Sequence, residues 1–295
     1  MTEKRVILKK GREQSMQRFH PWIFSGAIDD KPANLRNGEE VTIYSSKDEY
    51  LGTGHFQSGS IAVRVLTFNP GRVEGDFWKT SIESALLLRK RVGIADSSDT
   101  NVFRLVNAEG DGIPGLIIDY YNGTAVIQPH SDGVYMAREK ISSALVDILG
   151  DKLKAVYSKN VPGVAGKSRE SISGSYLYNS GYDDIVMENG NKFHVDWEGG
   201  QKTGFFIDQR ENRKLLGRYV QGRSVLNMCG YTGGFSVYAM RGGANLVHTV
   251  DSSSQAIKLA GENVELNFKH DQRHEAFCED VFNFFRESAR SYDLI

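Results

Sequence analysis

The sequence predicts an α/β protein: a doubly wound parallel sheet in the C-terminal third, preceded by a small β-barrel and a central α/β segment. Three observations carry that expectation. From about residue 191 onward, short apolar strands alternate with helical stretches, the pattern of parallel βαβ units. A glycine-rich turn follows one of those strands, and an acid ends the next. Residues 1–70 instead read as closely spaced short strands with glycine between them.

Residues 1–72 are expected to form the barrel. RVIL, EEVTIY, YLGTGHF and IAVRVLTF are rich in β-branched and aromatic residues, which suit a half-buried pleated surface. Residues 73–190 are expected to hold a linker helix and the central domain. DFWKTSIESALLLRKRV (76–92) has helical spacing, with Leu86, Leu87 and Val92 on or near its buried side. NVFRLVNAEGDGIPGLIIDYYNGTAVIQ reads as three strands separated by turns. A further helix is expected over 134–149 through Met136, Ile141, Leu145 and Ile148, and KAVYSKN is a further strand. In 191–295 the strands are RSVLNM, NLVHTV, HEAFCE and YDLI, with helices over 208–219, 234–241 and 252–268.

A chain of 295 residues exceeds a single core. No apolar run approaches the roughly 20 residues of a membrane span, and the start MTEKRVILKKGRE lacks the apolar segment of a signal peptide. The expected location is therefore the cytoplasm, with no membrane partner. Cys229 and Cys278 form no CxxC pair, and His20, His194 and His248 have no metal-ligand spacing, so no metal site is expected. A net charge of -1 gives no general attraction to nucleic acid. Locally, residues 1–20 hold Lys4, Arg5, Lys9, Lys10, Arg12 and Arg18 against Glu3 and Glu13, which is either a solvated basic segment or a phosphate-binding one.

The strongest motif is VLNMCGYTGGF (225–235) followed by VDSS (250–253). Gly230, Gly233 and Gly234 let the backbone turn sharply and approach a ligand closely. Asp251 ends the next strand, about twenty residues on, where a carboxylate can accept hydrogen bonds from both hydroxyls of a ribose. The pair reads as a nucleoside cofactor on a Rossmann-like sheet, although GYTGGF departs from the GxGxxG of nicotinamide sites. In EDVFNFF (279–285), Asp280 reads equally as a helix N-cap and as an acceptor for an adenine amino group, with Val281 or Phe282 against the ring. In EGGQKTGFFIDQRENR (198–213), Asp208 with Glu211 resembles a capping box. Aromatics beside Lys202, Arg210 and Arg213 there suit a stacking, phosphate-binding surface.

GQKTGFFIDQRENR, VLNMCGYTGGFSVYA, VDSSSQAIKLAGENVELN and EDVFNFF resemble the bacterial large-subunit ribosomal RNA cytosine-C5 methyltransferases that carry an N-terminal PUA domain. KKGREQSMQRFHPWIFSGAI looks like the opening of that PUA domain, and FRLVNAEGDGIPGLIIDYY like the start of the family's central domain. The resemblance implies a PUA-like β-barrel, a small central α/β domain and a class I methyltransferase domain using S-adenosylmethionine (SAM), with ribosomal RNA as partner. It implies that Gly230, Tyr231, Thr232, Gly233 and Gly234 surround the methionine part of SAM. Asp251 with Ser252 would hold the ribose, and Asp280 with Val281 the adenine side. Phe205, Asp208, Gln209 and Arg210 would flank the cofactor, and Lys9, Lys10, Arg12 and Lys202 would contact RNA.

YDLI matches the start of the strand that leads to the family's Asp-Pro-Pro motif, so a C-terminally truncated domain is expected, with catalytic residues beyond residue 295 and an inactive fragment. Cys229 and Cys278 are read as structural, Cys278 at the end of a buried strand. The rivals are methylation of another base, such as guanine N7, and a non-catalytic RNA-binding module that retains SAM affinity. Oligomeric state is not legible, a homodimer being one option.

Overall fold

A computed structural model describes residues 3–70, 76–164, 174–180, 184–288 and 290–295. The expected boundary at residues 72–73 lies outside the described residues. The chain divides into two compact units, Met1–Asp96 with Phe103–Tyr182, and Ser97–Val102 with Asp183–Ile295.

The first unit begins with β1 (Arg5–Leu8), α1 (Gln14–Gln17), β2 (Trp22–Phe24), β3 (Ile28–Asp30), β4 (Glu40–Tyr44), β5 (Tyr50–Phe56) and β6 (Ile61–Thr67). They form a six-stranded sheet in the order β2-β6-β5-β4-β1-β3. β1 runs parallel to β4, and the other described pairs are antiparallel. Alternation decides which residues go inside: in RVIL, Val6 and Leu8 are buried while Arg5 and Ile7 are not. Ile23, Ile43 and Val63 belong to the same core.

The same unit continues with α2 (Phe77–Arg91), β7 (Val102–Asn107), β8 (Leu116–Tyr121), β9 (Thr124–Pro129), α3 (Asp132–Met136), α4 (Arg138–Leu149), β10 (Ala155–Ser158) and β11 (Ser175–Tyr178). The sheet order is β11-β10-β9-β8-β7. Asn122 and Gly123 join β8 to β9 with positive φ at both positions, the geometry of a two-residue hairpin turn. Two sequence expectations are corrected here. On α2 the buried stripe is Ile82, Ala85 and Leu86, while Leu87 and Val92 are 48% and 58% exposed. Positions 82, 85 and 86 share one helical face, and 87 lies a further step around the axis. Met136 is also exposed, because α3 ends there and a separate helix carries Ile141 and Leu145 inward.

The second unit holds β12 (Ile185–Glu188), β13 (Asn191–His194), α5 (Arg210–Leu216), β14 (Ser224–Met228), α6 (Gly234–Arg241), β15 (Leu246–Asp251), α7 (Ser254–Asn267), β16 (His274–Cys278) and α8 (Val281–Glu287). β12 and β13 are an antiparallel hairpin turned at Asn189–Gly190. β14, β15 and β16 are parallel neighbours in that order. YDLI makes one parallel bridge, Leu294 to Val225, with Leu226 N donating to Leu294 O at 2.9 Å. β14 therefore has β15 on one side and residue 294 on the other. That is a topological switch point, where ligands of open α/β sheets bind beyond the strand ends. No helix among the described residues is long and apolar enough to cross a membrane.

Candidate cofactor site

The site grows from the end of β14. Asn227 Nδ2 donates to Ser236 Oγ at 2.9 Å. Ser236 Oγ lies 2.6 Å from Thr249 Oγ1, which lies 2.8 Å from His274 Nε2. This buried polar chain ties the strand end to α6, β15 and β16. Burial, with His248 adding a smaller push, holds the His274 imidazole down at about 4.

Beyond Met228 the backbone makes a compressed turn. Cys229, Tyr231 and Gly233 all take positive φ, at 53°, 44° and 72°. Left-handed backbone at two non-glycine residues in one turn is costly and persists only where the surroundings fix it. Gly230 N donates to Val250 O at 3.1 Å, and Gly233 N to Gly230 O at 2.8 Å. A Cβ on Gly230 would stand 2.3 Å from Thr249 Cγ2, so no larger residue fits there. A Cβ on Gly233 would meet Ala260 Cβ at 2.9 Å. α6 then starts with Gly233 as its N-cap and no side chain capping it. Its first amide groups are left to whatever lies beyond the turn.

Asp251 ends β15 directly beside this turn. Its Oδ2 accepts from Tyr231 N at 3.0 Å, and its Oδ1 accepts from Ser253 N at 2.9 Å. Two backbone donors thus fix a half-buried carboxylate whose oxygens keep further lone pairs. Ser252 beside it is exposed. Thr232 is buried, and its carbonyl accepts from Asn263 Nδ2 at 2.9 Å. Asp280 caps α8: its Oδ1 accepts from Phe282 N at 3.0 Å and Asn283 N at 3.1 Å. Val281 packs on Leu226, Val250 and Phe284, and Phe282 is exposed.

The 198–213 segment reaches the turn through Tyr231. The Tyr231 hydroxyl accepts from Gln201 N at 3.0 Å and donates to Gly204 O at 3.2 Å. Its ring meets Phe206 edge-on, and Lys202 Nζ lies 4.8 Å from the Phe206 centroid. Phe205 is core, packed on Phe193 under the Arg213 guanidinium. Asp208 and Gln209 belong to a 3-10 turn and bond to each other. The capping-box reading of Asp208 is therefore corrected. The tightened turn delays the helix to Arg210, with Gln209 at the cap position and no side-chain cap bond.

Arg210 and Arg213 converge on a residue that the sequence reading missed. Glu188 is fully buried. Its Oε1 accepts from Arg213 Nε at 2.9 Å, and its Oε2 accepts from Arg213 Nη2 at 2.8 Å and Arg210 Nε at 3.2 Å. Tyr238 Oη donates to Glu188 Oε1 at 3.1 Å, and the anionic neighbour adds to burial in pushing the phenol up. The Arg210 guanidinium also donates to the Val102 carbonyl. The available signal was weak, a glutamate one residue before an Asn-Gly turn.

Cys278 corrects a further expectation. Both cysteines are exposed, Cys229 in the glycine turn and Cys278 at the end of β16, which is only partly covered along its length. In the first unit, Lys9, Lys10 and Arg12 are exposed, and Lys9 Nζ donates to Gly26 O at 3.1 Å. Among the described residues, no group of three or more His, Cys, Asp or Glu side chains is placed to hold a metal ion.

Comparison with known proteins places these features in a family. Residues 6–68 match the PUA-like domain family, and residues 165–294 match the S-adenosylmethionine-dependent methyltransferase family. A ribosomal RNA large subunit methyltransferase I from Alteromonas mediterranea is 37% identical over 98% of this chain and 74% of its own length. One from Photobacterium profundum is 38% identical over 96% and 71%. Among solved structures, a SAM-dependent methyltransferase from Streptococcus mutans covers 98% of this chain and 75% of its own, with 25% identity and a TM-score of 0.83. A methyltransferase complexed with SAH covers 100% and 75%, with 26% identity and a TM-score of 0.83. With its PUA-like domain and glycine-turn cofactor fold, the chain belongs to the ribosomal RNA large subunit methyltransferase I family, whose cofactor is SAM.

Proposed function

We propose that this chain takes part in methyl transfer from SAM to C5 of a cytosine in large-subunit ribosomal RNA, in the cytoplasm. The observation that carries the cofactor half is the contact between the Asp251 carboxylate and the Tyr231 amide at the switch point. It sets an acid beside a turn whose inner face admits no Cβ at Gly230. A nucleoside that also carries a carboxylate fits these groups. Asp251 would accept from the ribose hydroxyls, and the uncapped first amides of α6 would meet the methionine carboxylate. Asp280 would offer the adenine amino group its Oδ2, since Oδ1 takes both cap bonds. When bound, SAM supplies an electrophilic methyl group.

The cytosine half rests on the similarity of the motifs at 200–213, 225–239 and 250–267 to the cytosine-C5 family. Lys202 beside Phe206, with Asp208 and Gln209, would flank the cofactor on the side from which RNA arrives. Lys9, Lys10 and Arg12 would contact phosphates. No catalytic residue is assigned among residues 1–295. The test is transfer of labelled methyl from SAM to protein-free large-subunit ribosomal RNA by the full-length protein, followed by nucleoside analysis. Label in 5-methylcytosine is expected. Label on guanine N7 would overturn the base, and RNA binding without SAM affinity would overturn the cofactor site.

A further inference from the structure

β2 is the outermost strand of its sheet and pairs only with β6 among the described residues. Ile23 at its centre is core, so Trp22 and Phe24 fall on the opposite face, and His20 is in phase with them. The three rings cluster. Centroids lie 5.9 Å apart for His20 and Trp22, and 6.5 Å for both Trp22–Phe24 and His20–Phe24. His20 is exposed and Phe24 is 50% exposed. These rings are also held in place. Trp22 Nε1 donates to Glu109 Oε1 at 2.9 Å, and His20 Nδ1 lies 3.1 Å from both Trp22 N and Trp22 O. Phe19, next in line and exposed, sits at a φ of 57°, a conformation a bulky side chain rarely takes.

One cation is placed beside the patch, and others lie near it in sequence. Lys9 N donates to Ala27 O, and Lys9 Nζ donates to Gly26 O, two residues past Phe24. That ammonium keeps two further donors. Lys10, Arg12 and Arg18 are exposed, and none of the four forms a described ion pair. Rings and unpaired cations together match the two halves of a nucleotide, its base and its phosphate. A second copy of this chain would bring the same cations against themselves across a two-fold axis, which disfavours self-association through this face. A-form duplex hides its base faces in the stack, whereas unpaired nucleotides offer them.

We propose that His20, Trp22 and Phe24 form a stacking platform for unpaired bases of the RNA substrate, with Lys9, Lys10 and Arg12 on the adjoining phosphates. The proposal rests on the RNA-methyltransferase reading above and adds to it the strand state of the bound RNA. The experiment compares a single-stranded RNA decamer with the same sequence in a hairpin duplex, binding each to the full-length protein and to its Phe24→Ala and Phe24→Trp variants. SAH affinity is measured alongside as a check on folding. Phe24→Ala should weaken single-strand binding about 5- to 150-fold, leave duplex binding and its salt dependence unchanged, and keep SAH affinity. Phe24→Trp should bind single strands at least as well as the parent. Unchanged or equally reduced binding of both RNAs would overturn the platform. So would a Phe24→Ala change that splits a dimer in sedimentation while RNA affinity holds. If the parent binds SAH but neither RNA, the RNA reading itself fails, which is a separate result from indifference to Phe24.

Discussion

The Tyr231 amide donates to Asp251 Oδ2 at 3.0 Å, so the carboxylate proposed for the ribose is also a structural brace of the glycine turn. Removing it should do two things at once. Asp251→Ala should weaken SAM binding by roughly 1.5–3 kcal/mol, the range for losing hydrogen bonds to a charged group. Asp251→Asn keeps an acceptor for the amide and should lose less. Calorimetry with SAM decides it, and equal affinity in parent and Asp251→Ala would remove Asp251 from the site.

Gly230→Ala should damage both folding and cofactor binding. The added methyl would lie 2.3 Å from Thr249 Cγ2. Thr249 cannot rotate away without breaking its bonds to Ser236 and His274. Overpacking of this kind costs about 1–3 kcal/mol. Urea denaturation and SAM titration of the variant should move together, and a variant of parental stability would mean that the turn relaxes freely.

Glu188→Ala should be the most destabilising of these changes. It strands Arg213, 2% exposed, with no carboxylate. Breaking a buried pair by removing one partner costs roughly 3–5 kcal/mol. Glu188→Gln retains acceptors for some of the donors and should fall between. Chemical denaturation would report both, and a Glu188→Ala protein within 1 kcal/mol of the parent, far below that roughly 3–5 kcal/mol range, would contradict the assignment.

Much of the second unit was legible because its punctuation is local. Gly234 and Gly242 bracket a helix found at Gly234–Arg241, and Ser253 caps α7 from a VDSS segment that reads as a strand end. The Glu188 cluster was not legible, since it joins residues 22 and 25 positions apart, and nothing near Glu188 in sequence announces a cation. Phe205 beside basic residues looked like a stacking surface for the same reason. Sequence shows that a ring and a guanidinium are near each other in the chain, but not that Arg213 lies over the buried Phe205 in the core.

Neutralising Lys9, Lys10 and Arg12 together should weaken RNA binding and flatten its dependence on salt. For every single-strand phosphate that no longer has a cation on it, the slope of log K against log salt should fall by about 0.7. RNA affinity measured from about 50 to 300 mM salt, over which the Debye length falls roughly 2.5-fold, gives the slope directly. An unchanged slope would make this segment merely solvated.

Acid should destabilise the protein before its carboxylates titrate. Burial is the main cause that holds His55 and His274 at about 4. Unfolded imidazoles titrate near 6.5, so between about 6.5 and 4 the unfolded chain takes up protons that the folded one refuses. Their contribution is therefore complete above about 6.5, falls with pH through that window, and levels off below about 4. Urea midpoints at pH 7, 6, 5 and 4 should decline, and more shallowly in His274→Gln. Identical profiles would show that His274 ionises normally in the fold.

Glu188 has one more consequence. It belongs to β12, receives Arg213 from α5 and Tyr238 from α6, while Arg213 Nη1 holds the Phe206 carbonyl. Three elements, β12, α5 and α6, thus meet at one anion, and none can leave without exposing it. In native-state hydrogen exchange the amides of the 185–194 hairpin, of α5 and of α6 should exchange as one opening event with a shared free energy. The glycine turn at the head of α6 would then inherit its rigidity from a hairpin that touches no cofactor.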